Sequence, residues 1–184
     1  MAYQKFKKFA RNIWAQIAAF FAVRWLKPAP DSPLDFTRLV DGCHDWLVIM
    51  PEDASAFQTA IRQCEEVLAK MTGVRFHLLL PLELRGVVEA TSEMRLFSLN
   101  RNDLFLGVFP RSSLIQRLQE IQPQIALDLS PRATPLSLVA SGLSGAKVRG
   151  ALARSQGNSI FNLLIESRSG ELEDRYRALF AYLA

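Results

Sequence analysis

Cysteine and histidine are scarce in this chain of 184 residues, with two of each. Cys43 and Cys64 are too few for a disulfide framework and fit a reducing compartment. Neither cysteine has a second cysteine or a histidine at the spacing of a zinc site, and the neighbours Cys43 and His44 are too close in sequence to serve one metal together. We therefore expect free thiols, and we assign neither a metal nor a cofactor to the chain.

Glycine is missing where a dinucleotide-binding protein needs it. The turn after the first predicted strand reads Pro-Glu-Asp-Ala-Ser-Ala from Pro51, without the pattern Gly-x-Gly-x-x-Gly. Without glycine the backbone cannot approach a pyrophosphate closely, and two carboxylates would repel it. The sequence also has no Walker loop, no nucleophile elbow and no histidine placed for a catalytic triad. Ordinary dinucleotide binding is therefore disfavoured.

Acidic residues are absent from residues 1–30, which hold six basic residues and so carry a charge of +6. Of the totals of 22 basic and 18 acidic residues, 16 and 18 then remain for the rest of the chain, a net charge of −2. Positive charge is segregated at one end instead of forming a basic patch on a folded face. We do not expect a nucleic-acid partner.

Residues 3–27 predict one helix, because no glycine or proline interrupts them before Pro28. Apolar residues recur at spacings of three and four, and aromatic residues widen the apolar arc in the second half. A basic helix with aromatic anchors is typical of a helix that lies in the membrane interface. The residues expected to contact a membrane or a partner are Lys5, Phe6, Lys8, Phe9, Ile13, Trp14, Ile17, Phe20, Phe21 and Trp25.

The least polar part of this helix, residues 13–23, is too short to cross a bilayer. It extends over roughly 16 Å, about half of the hydrocarbon thickness. Two other interpretations stay open: the helix docks on the protein's own body or on a partner, or it is a targeting peptide, although no small-residue cleavage site follows it. The expected location is the cytoplasmic face of a membrane, with peripheral attachment.

Strands alternate with helices after a proline-rich linker and a short helix, which together fill residues 28–44. We predict strands at residues 45–50, 74–80, 94–99, 104–109, 124–130, 146–149 and 159–166. We predict helices at residues 54–71, 82–90, 111–121, 131–142 and 171–184, and a polar loop at residues 151–158. The pattern indicates an α/β fold over residues 45–184: a single Rossmann-like domain with a mostly parallel sheet covered by helices, preceded by the amphipathic helix of residues 1–27.

Residues 124–150 carry the firmest part of that prediction. An apolar strand ends at Asp128, Leu129 and Ser130, a short apolar helix follows Thr134, and an extended segment follows Gly142. Strand, helix and strand in so few residues form a βαβ crossover, which requires a parallel sheet.

Ligands of such sheets bind at the carboxyl ends of the strands. Pro51 and Pro81 mark two of these ends, and His77 lies inside a strand, where we expect a partly buried structural residue. The candidates for lining the edge are Glu52, Asp53, Asp128, Ser130 and Arg132.

These motifs resemble the N-terminal domain of the family nine glycosyltransferases, the ADP-heptose:lipopolysaccharide heptosyltransferases. The resemblance rests on Ile-Ala-Leu-Asp-Leu-Ser from Ile125, the helix after it, and Leu-Ser-Gly-Ala-Lys-Val-Arg-Gly from Leu143. It reaches back to the strand Trp-Leu-Val-Ile-Met from Trp46 and Gly-Val-Arg-Phe-His from Gly73, and on to Ser-Ile-Phe-Asn from Ser159, so it covers residues 45–165. It implies a bacterial protein with a Rossmann-like domain on the acceptor side of the enzyme.

The departures from the family shape the functional expectation. Family members have a second Rossmann domain that binds the nucleotide sugar, and this sequence stops where that domain would begin. The family's first loop carries Gly-Asp, whose aspartate is the expected base; Asp53 falls at that position, but Glu52 replaces the glycine. Asp53 also suits the N-cap of the next helix, with Ser55 as the alternative cap.

Two functions follow from these departures. The first is a non-catalytic binding or scaffold subunit, a pseudoenzyme that residues 1–27 hold at a membrane or a membrane-protein complex, with a possible protein partner in place of the second domain. The second is the acceptor-binding half of a split glycosyltransferase that a partner chain completes, with Asp53 as base.

Overall fold

The computed structural model of the chain describes residues 26, 42–99, 101–105, 109–154, 157–167 and 169–183. The predicted N-terminal helix apart from Leu26, the linker at residues 28–33 and the short helix at residues 35–40 lie outside the described residues. The same holds for all ten residues predicted to contact a membrane or a partner. The division of the chain at residues 27 and 44 stays a prediction.

Eight strands, four α-helices and three short 3-10 helices make up the described chain. The strands are β1 (Asp45–Ile49), β2 (Arg75–Pro81), β3 (Met94–Leu99), β4 (Leu104–Phe105), β5 (Phe109–Pro110), β6 (Ile125–Asp128), β7 (Val148–Leu152) and β8 (Leu163–Ile165). The α-helices are α1 (Ala54–Leu68), α2 (Ser112–Ile121), α3 (Pro135–Leu143) and α4 (Leu172–Ala181). The 3-10 helices cover Leu82–Val87, Arg101–Asp103 and Asn158–Ile160.

Six of the strands form one sheet in the order β3-β2-β1-β6-β7-β8, and every neighbouring pair is parallel. The chain starts in the middle of the sheet, runs to one edge, and returns to the middle to build the other half. This is the strand order of a doubly wound Rossmann fold. The central strands are buried along their whole length or nearly so, as expected for strands covered on both faces. The predicted fold class is confirmed.

The two faces of the sheet carry separate cores, because side chains alternate along each strand. On one face Trp46 and Val48 pack with residues of α1 and α4. Phe76 stacks there between Trp46 and Phe180, with ring centroids 5.4 Å and 6.2 Å apart. On the other face Leu47 packs with residues of α2 and α3.

The βαβ unit predicted at residues 124–150 is present as β6, α3 and β7. Thr134 is the N-cap of α3: its hydroxyl oxygen accepts a hydrogen bond from Ser137 N at 3.1 Å, and the Ser137 hydroxyl oxygen accepts one from Thr134 N at 3.2 Å. Pro135 takes the first helical position, where its missing N–H costs nothing. The helix does not stop at Gly142 as predicted but continues to Leu143. Gly142 is instead a contact point, where the side chain of Leu26 packs against the helix.

Four further predictions need correction. The predicted strand at residues 104–109 is the antiparallel pair β4–β5 outside the main sheet, with residues 106–108 beyond the described part. The predicted helix at residues 82–90 is a 3-10 helix that ends at Val87. β7 extends to Leu152, into the predicted loop, because both of its last residues are buried in the sheet. The last predicted strand is split into a 3-10 helix and the short β8.

His77 is a buried strand residue, 4% exposed, as its position inside a strand predicted. Its Nε2 lies 2.6 Å from Oδ1 of Asp45, and Arg75 Nε lies 3.3 Å from the same oxygen. This group of side chains ties the amino-terminal ends of β1 and β2 together.

The N-cap of α3 allows a direct test of how much this local motif contributes. Thr134→Ala removes the oxygen that receives Ser137 N, and we expect the free energy of unfolding to fall by about 1 kcal/mol. Thr134→Ser keeps the hydroxyl, so its loss should stay within about 0.5 kcal/mol. Urea unfolding followed by circular dichroism measures both variants. Equal losses would show that the methyl group of Thr134, and not the cap, stabilises the helix.

Candidate functional site

The carboxyl ends of β1 and β6 form the position at which this fold binds ligands. β1 and β6 are neighbours, but the chain leaves β1 towards β2 and leaves β6 towards β7, on opposite sides. The connections therefore diverge and leave a crevice in doubly wound proteins. Of the five residues predicted for the ligand edge, Asp128 is the last residue of β6, and the other four lie in the two segments that follow these strands.

The segment after β1 is occupied by the start of α1. Pro51 is buried, while Glu52 and Asp53 are exposed. Oδ1 of Asp53 accepts hydrogen bonds from Ser55 N at 3.1 Å and from Ala56 N at 3.0 Å, so Asp53 is the N-cap of α1. Of the two predicted caps, the structure thus uses Asp53. Its Oδ2 has no hydrogen-bond partner among the described residues.

Asp128, at the end of β6, is fully buried and bonded on both oxygens. Its Oδ1 accepts from Ser130 N at 2.9 Å, and its Oδ2 accepts from Arg154 Nη2 at 2.7 Å. Arg154 Nη1 donates to the carbonyl oxygen of Ser130 at 3.1 Å. The Arg154 side chain is only 4% exposed, and its guanidinium carbon lies 5.0 Å from the ring centroid of Phe161. The carboxylate that was predicted to face a ligand is therefore neutralised by the protein itself.

Tyr176 contacts the segment after β6 from the face of the sheet that α1 and α4 cover. Its hydroxyl, on α4, donates a hydrogen bond to the carbonyl oxygen of Leu129. Burial raises the pKa of Tyr176 above its usual value, and the negative charge of Asp128 raises it further. Tyr176 thus stays a neutral donor at physiological pH, in contact with the backbone between Asp128 and Ser130.

The predicted edge residues fall into two groups. Asp128 and Ser130 are buried and directly bonded to each other. Glu52, Asp53 and Arg132 are exposed, and no hydrogen bond or ion pair in the described chain connects them to the buried group. The structure therefore brings only two of the five candidates together.

Sequence reasoning missed Arg154 and Tyr176, which complete the buried group. Arg154 is the second residue after β7, so it lies at the same sheet edge as the end of β6. The predicted loop at residues 151–158 concealed this, because it ended the strand before Leu152. With the strand continued through the apolar pair Ala151 and Leu152, Arg154 would have been placed at the carboxyl edge. No pattern in the neighbouring sequence indicated that Tyr176 would lie at this site.

A concavity of about 310 Å³ opens at the opposite, amino-terminal edge of the sheet. It is lined by Gln119, Gln122, Pro123, Gln124, Leu143, Ser144, Gly145 and Lys147. Within the described ranges, no three histidine, cysteine, aspartate or glutamate side chains form a group that could hold a metal ion. No helix of the described chain is both long and apolar enough to cross a membrane.

A double-mutant cycle measures how much the buried ion pair matters. Asp128→Asn keeps the oxygen that receives Ser130 N but removes the charge, and Arg154→Met keeps the aliphatic stem. Each single variant leaves one buried group without its partner, so each should lose about 3–5 kcal/mol of unfolding free energy. The double variant should lose less than the sum, by about 1–3 kcal/mol.

The control for this cycle is Arg62→Met. It breaks the pair between Arg62 and Glu173, whose side chains are 56% and 38% exposed, and should cost less than about 1 kcal/mol. Strictly additive losses at Asp128 and Arg154 would contradict the assignment of a coupled pair.

Comparison with known proteins identifies the fold. No protein-family model and no curated protein matches the chain. A solved structure of E. coli heptosyltransferase WaaC with ADP matches with a TM-score of 0.58 and 11% sequence identity, over 74% of this chain and 46% of that chain. The same enzyme with ADP-2-deoxy-2-fluoro heptose matches with a TM-score of 0.52 and 9% identity, over 74% of this chain and 47% of that chain.

The chain therefore spans less than half of the length of the heptosyltransferase chains that it matches. The enzyme of the matched structures is a heptosyltransferase, the activity of the family that the sequence motifs resemble. The chain has a heptosyltransferase-like glycosyltransferase fold.

Proposed function

We propose that this chain is a non-catalytic binding or scaffold subunit, built on half of a glycosyltransferase fold and held at the cytoplasmic face of a membrane or at a membrane-protein complex by residues 1–27. The observation that carries the proposal is the buried pair of Asp128 and Arg154 at the position where the fold binds ligands. In this proposal a protein partner occupies the position that the second domain has in the glycosyltransferases.

The Asp128 carboxylate at this edge of the sheet is already bonded within the protein. Both oxygens of Asp128 are bonded, and the carbonyl oxygens of Leu129 and Ser130 receive Tyr176 and Arg154. A ligand that displaced Arg154 would leave the Asp128 charge buried without compensation, at a cost of about 3–5 kcal/mol. A carboxylate that is already paired within the protein at this position favours a structural role over catalysis.

The loop after β1 supports the same conclusion. It has no glycine, so its backbone cannot wrap closely around a phosphate. Asp53, the residue that the family resemblance points to as a base, is engaged as the N-cap of α1 through Oδ1. That oxygen is committed to the backbone of α1 and is not available to an acceptor hydroxyl.

The membrane part of the proposal rests on charge and on aromatic content. Residues 1–30 carry six positive charges and no negative one, and the rest of the chain has a net charge of −2. An anionic membrane surface would attract this end of the protein. The apolar face of the helix predicted at residues 3–27 would enter the membrane interface.

Charge reversal in the N-terminal segment should weaken binding to anionic vesicles. Each cation near an anionic surface contributes about 1 kcal/mol, so Lys5→Glu with Lys8→Glu should weaken binding to phosphatidylserine-containing vesicles at least about 30-fold. Co-sedimentation of the full-length chain measures the affinity. Neutral phosphatidylcholine vesicles should show much weaker binding for the wild type.

The matched control for this experiment changes the charge of the body by the same amount. Arg85 and Arg95 are both exposed, and Arg85→Glu with Arg95→Glu should leave vesicle binding within about threefold, since screening limits charge effects beyond roughly 10 Å. An equal loss in both double variants would locate the attraction in the whole protein, and negligible binding by the wild type would remove lipid from the proposal.

One observation favours the second function, the acceptor-binding half of a split glycosyltransferase. Asp53 is exposed at the carboxyl edge of the sheet, and its Oδ2 is free of hydrogen bonds within the described chain. That oxygen could receive the proton of an acceptor hydroxyl once a second chain supplied the nucleotide sugar.

Asp53→Asn separates the two functions, because asparagine caps a helix as well as aspartate does. We expect the variant to fold with an unfolding free energy within about 0.5 kcal/mol of the wild type. The native protein is isolated with its partners, which mass spectrometry identifies, and sugar transfer is assayed with wild type and variant. The scaffold function predicts no difference. Transfer by the wild type that falls by about 10²-fold or more in Asp53→Asn would establish the enzyme.

A further inference from the structure

Arg149 is a buried arginine whose charge has no acidic partner in the described chain. It is the second residue of β7 and is 7% exposed. Its Nε is buried and makes no hydrogen bond to a described residue, and none of the ion pairs among the described residues includes it. Burial lowers the pKa of the Arg149 guanidinium, but an arginine still carries its charge near neutral pH.

Arg154 shows how the same protein balances a buried guanidinium elsewhere. The Arg154 side chain is 4% exposed, and its Nη2 donates a hydrogen bond to Oδ2 of Asp128 at 2.7 Å. Burying a charge without a partner is costly, whereas a buried pair compensates much of that cost. Of these two buried arginines, Arg154 is paired within the described chain and Arg149 is not. The unbalanced charge of Arg149 favours a counter-charge that comes from a ligand.

Arg149 lies on the face of the sheet that α2 and α3 cover. Side chains alternate along β7: Val148 and Leu152 belong to the core on the side of α1 and α4, whereas Ala151 packs with residues of α3. Arg149 therefore shares the face of Ala151. It pairs in register with Ala126, the second residue of β6, so it lies near the amino-terminal edge of the sheet.

The cavity of about 310 Å³ opens at this same edge, and Lys147 lines it. Lys147 stands two residues before Arg149, so their Cα atoms lie within about 7 Å of each other. None of the ion pairs among the described residues includes Lys147. The other described residues that line the cavity are uncharged. The charges at this edge next to β7 are therefore both positive.

Gln124 adds a hydrogen-bond donor to the lining of the cavity. Its Oε1 accepts hydrogen bonds from His44 N and Asp45 N, both at 2.9 Å. This fixes the amide oxygen on the backbone at the start of β1 and leaves Nε2, which has no hydrogen bond in the described chain, as a donor. The Asp45 carboxylate, which could otherwise balance a cation here, pairs with His77 and Arg75.

We propose that this amino-terminal cavity binds a small ligand through an anionic group, a carboxylate or a phosphate. Lys147 and Nε2 of Gln124 contact that group, and its negative charge balances the buried guanidinium of Arg149. Hydrogen bonds from cations and amides to such oxygens are short and strong. The apolar part of the lining, with Pro123 and Leu143, holds the body of the ligand. The inference is independent of the proposed function, because the cavity lies at the edge of the sheet opposite the buried Asp128.

Melting temperatures test whether the charge of Arg149 is unbalanced. Arg149→Met keeps the aliphatic stem and removes the charge. Without added phosphate or citrate, this variant of the full-length chain should melt at least about 3 °C above the wild type, because it no longer buries an unpaired charge. Arg154→Met is the matched contrast, since it breaks a buried pair and should melt below the wild type. A melting temperature of Arg149→Met at or below that of the wild type would overturn the proposal, because groups of the protein itself would then balance the guanidinium.

Nuclear magnetic resonance of the full-length ¹⁵N-labelled chain tests the site itself. The protein is titrated with sodium phosphate and, separately, with sodium citrate, with sodium chloride holding the ionic strength constant. We expect saturable shifts of the amides of Gly145, Ala146 and Lys147 with at least one of the two probes. Saturation by phosphate alone or by citrate alone would support the site and identify the anionic group that it prefers.

Two variants separate a specific site from general attraction between charges. Lys147→Gln removes the cation of the lining and should weaken binding of the probe at least tenfold. Arg95→Gln removes an exposed cation of β3 and should leave the affinity within about twofold. The proposal fails if neither probe gives saturable shifts, if the shifts lie away from the cavity, or if both variants bind as the wild type does. No step uses a membrane, a partner or Asp53, so this inference and the proposed function fail separately.

Discussion

The Asp128 carboxylate is buried in the middle of the carboxyl edge of the sheet. Surrounding groups balance its charge and donate hydrogen bonds to it. Arg154 supplies the opposite charge from the segment after β7, and Ser130 N supplies a second hydrogen bond. The guanidinium in turn lies over the ring of Phe161, and Tyr176 fixes the backbone beside the carboxylate. One charge thus joins β6, the segments after β7 and before β8, and α4. Removing either charge leaves the other uncompensated, which is why a buried pair of this kind constrains its neighbours.

This arrangement has a direct consequence for function. The fold that the chain shares with a heptosyltransferase binds ligands at the carboxyl edge of its sheet, and in this chain the buried Asp128 at that edge is bonded to Ser130 and Arg154. A shared fold does not carry a shared activity. In the function that we propose, the protein presents a surface to partners and does not turn over a sugar nucleotide in this crevice.

Much of the fold could be predicted from the sequence because its signals are local. The apolar runs of β1, β2 and β6 are long enough to identify buried strands, and Thr134 with Pro135 marks the start of α3 through short-range hydrogen bonding. The expectation that Asp53 caps α1 rested on the same kind of signal. The prediction was wrong for residues 104–109, where the short apolar run pairs with itself in β4 and β5 instead of joining the sheet. Nothing in so short a run distinguishes the two pairings.

The sequence by itself determined the order of strands and helices, the parallel sheet, and the difference in charge between residues 1–30 and the rest of the chain. Periodicity, caps and charge are properties of neighbouring residues. Only the tertiary structure decided what the candidate residues do. The sequence made Asp128 a candidate for ligand binding, but in the structure it is paired with Arg154. The sequence placed the end of a helix at Gly142, but in the structure Gly142 contacts Leu26. Both contacts join residues that are far apart in the chain, and no local pattern encodes which distant side chain will reach a buried charge or a notch in a helix.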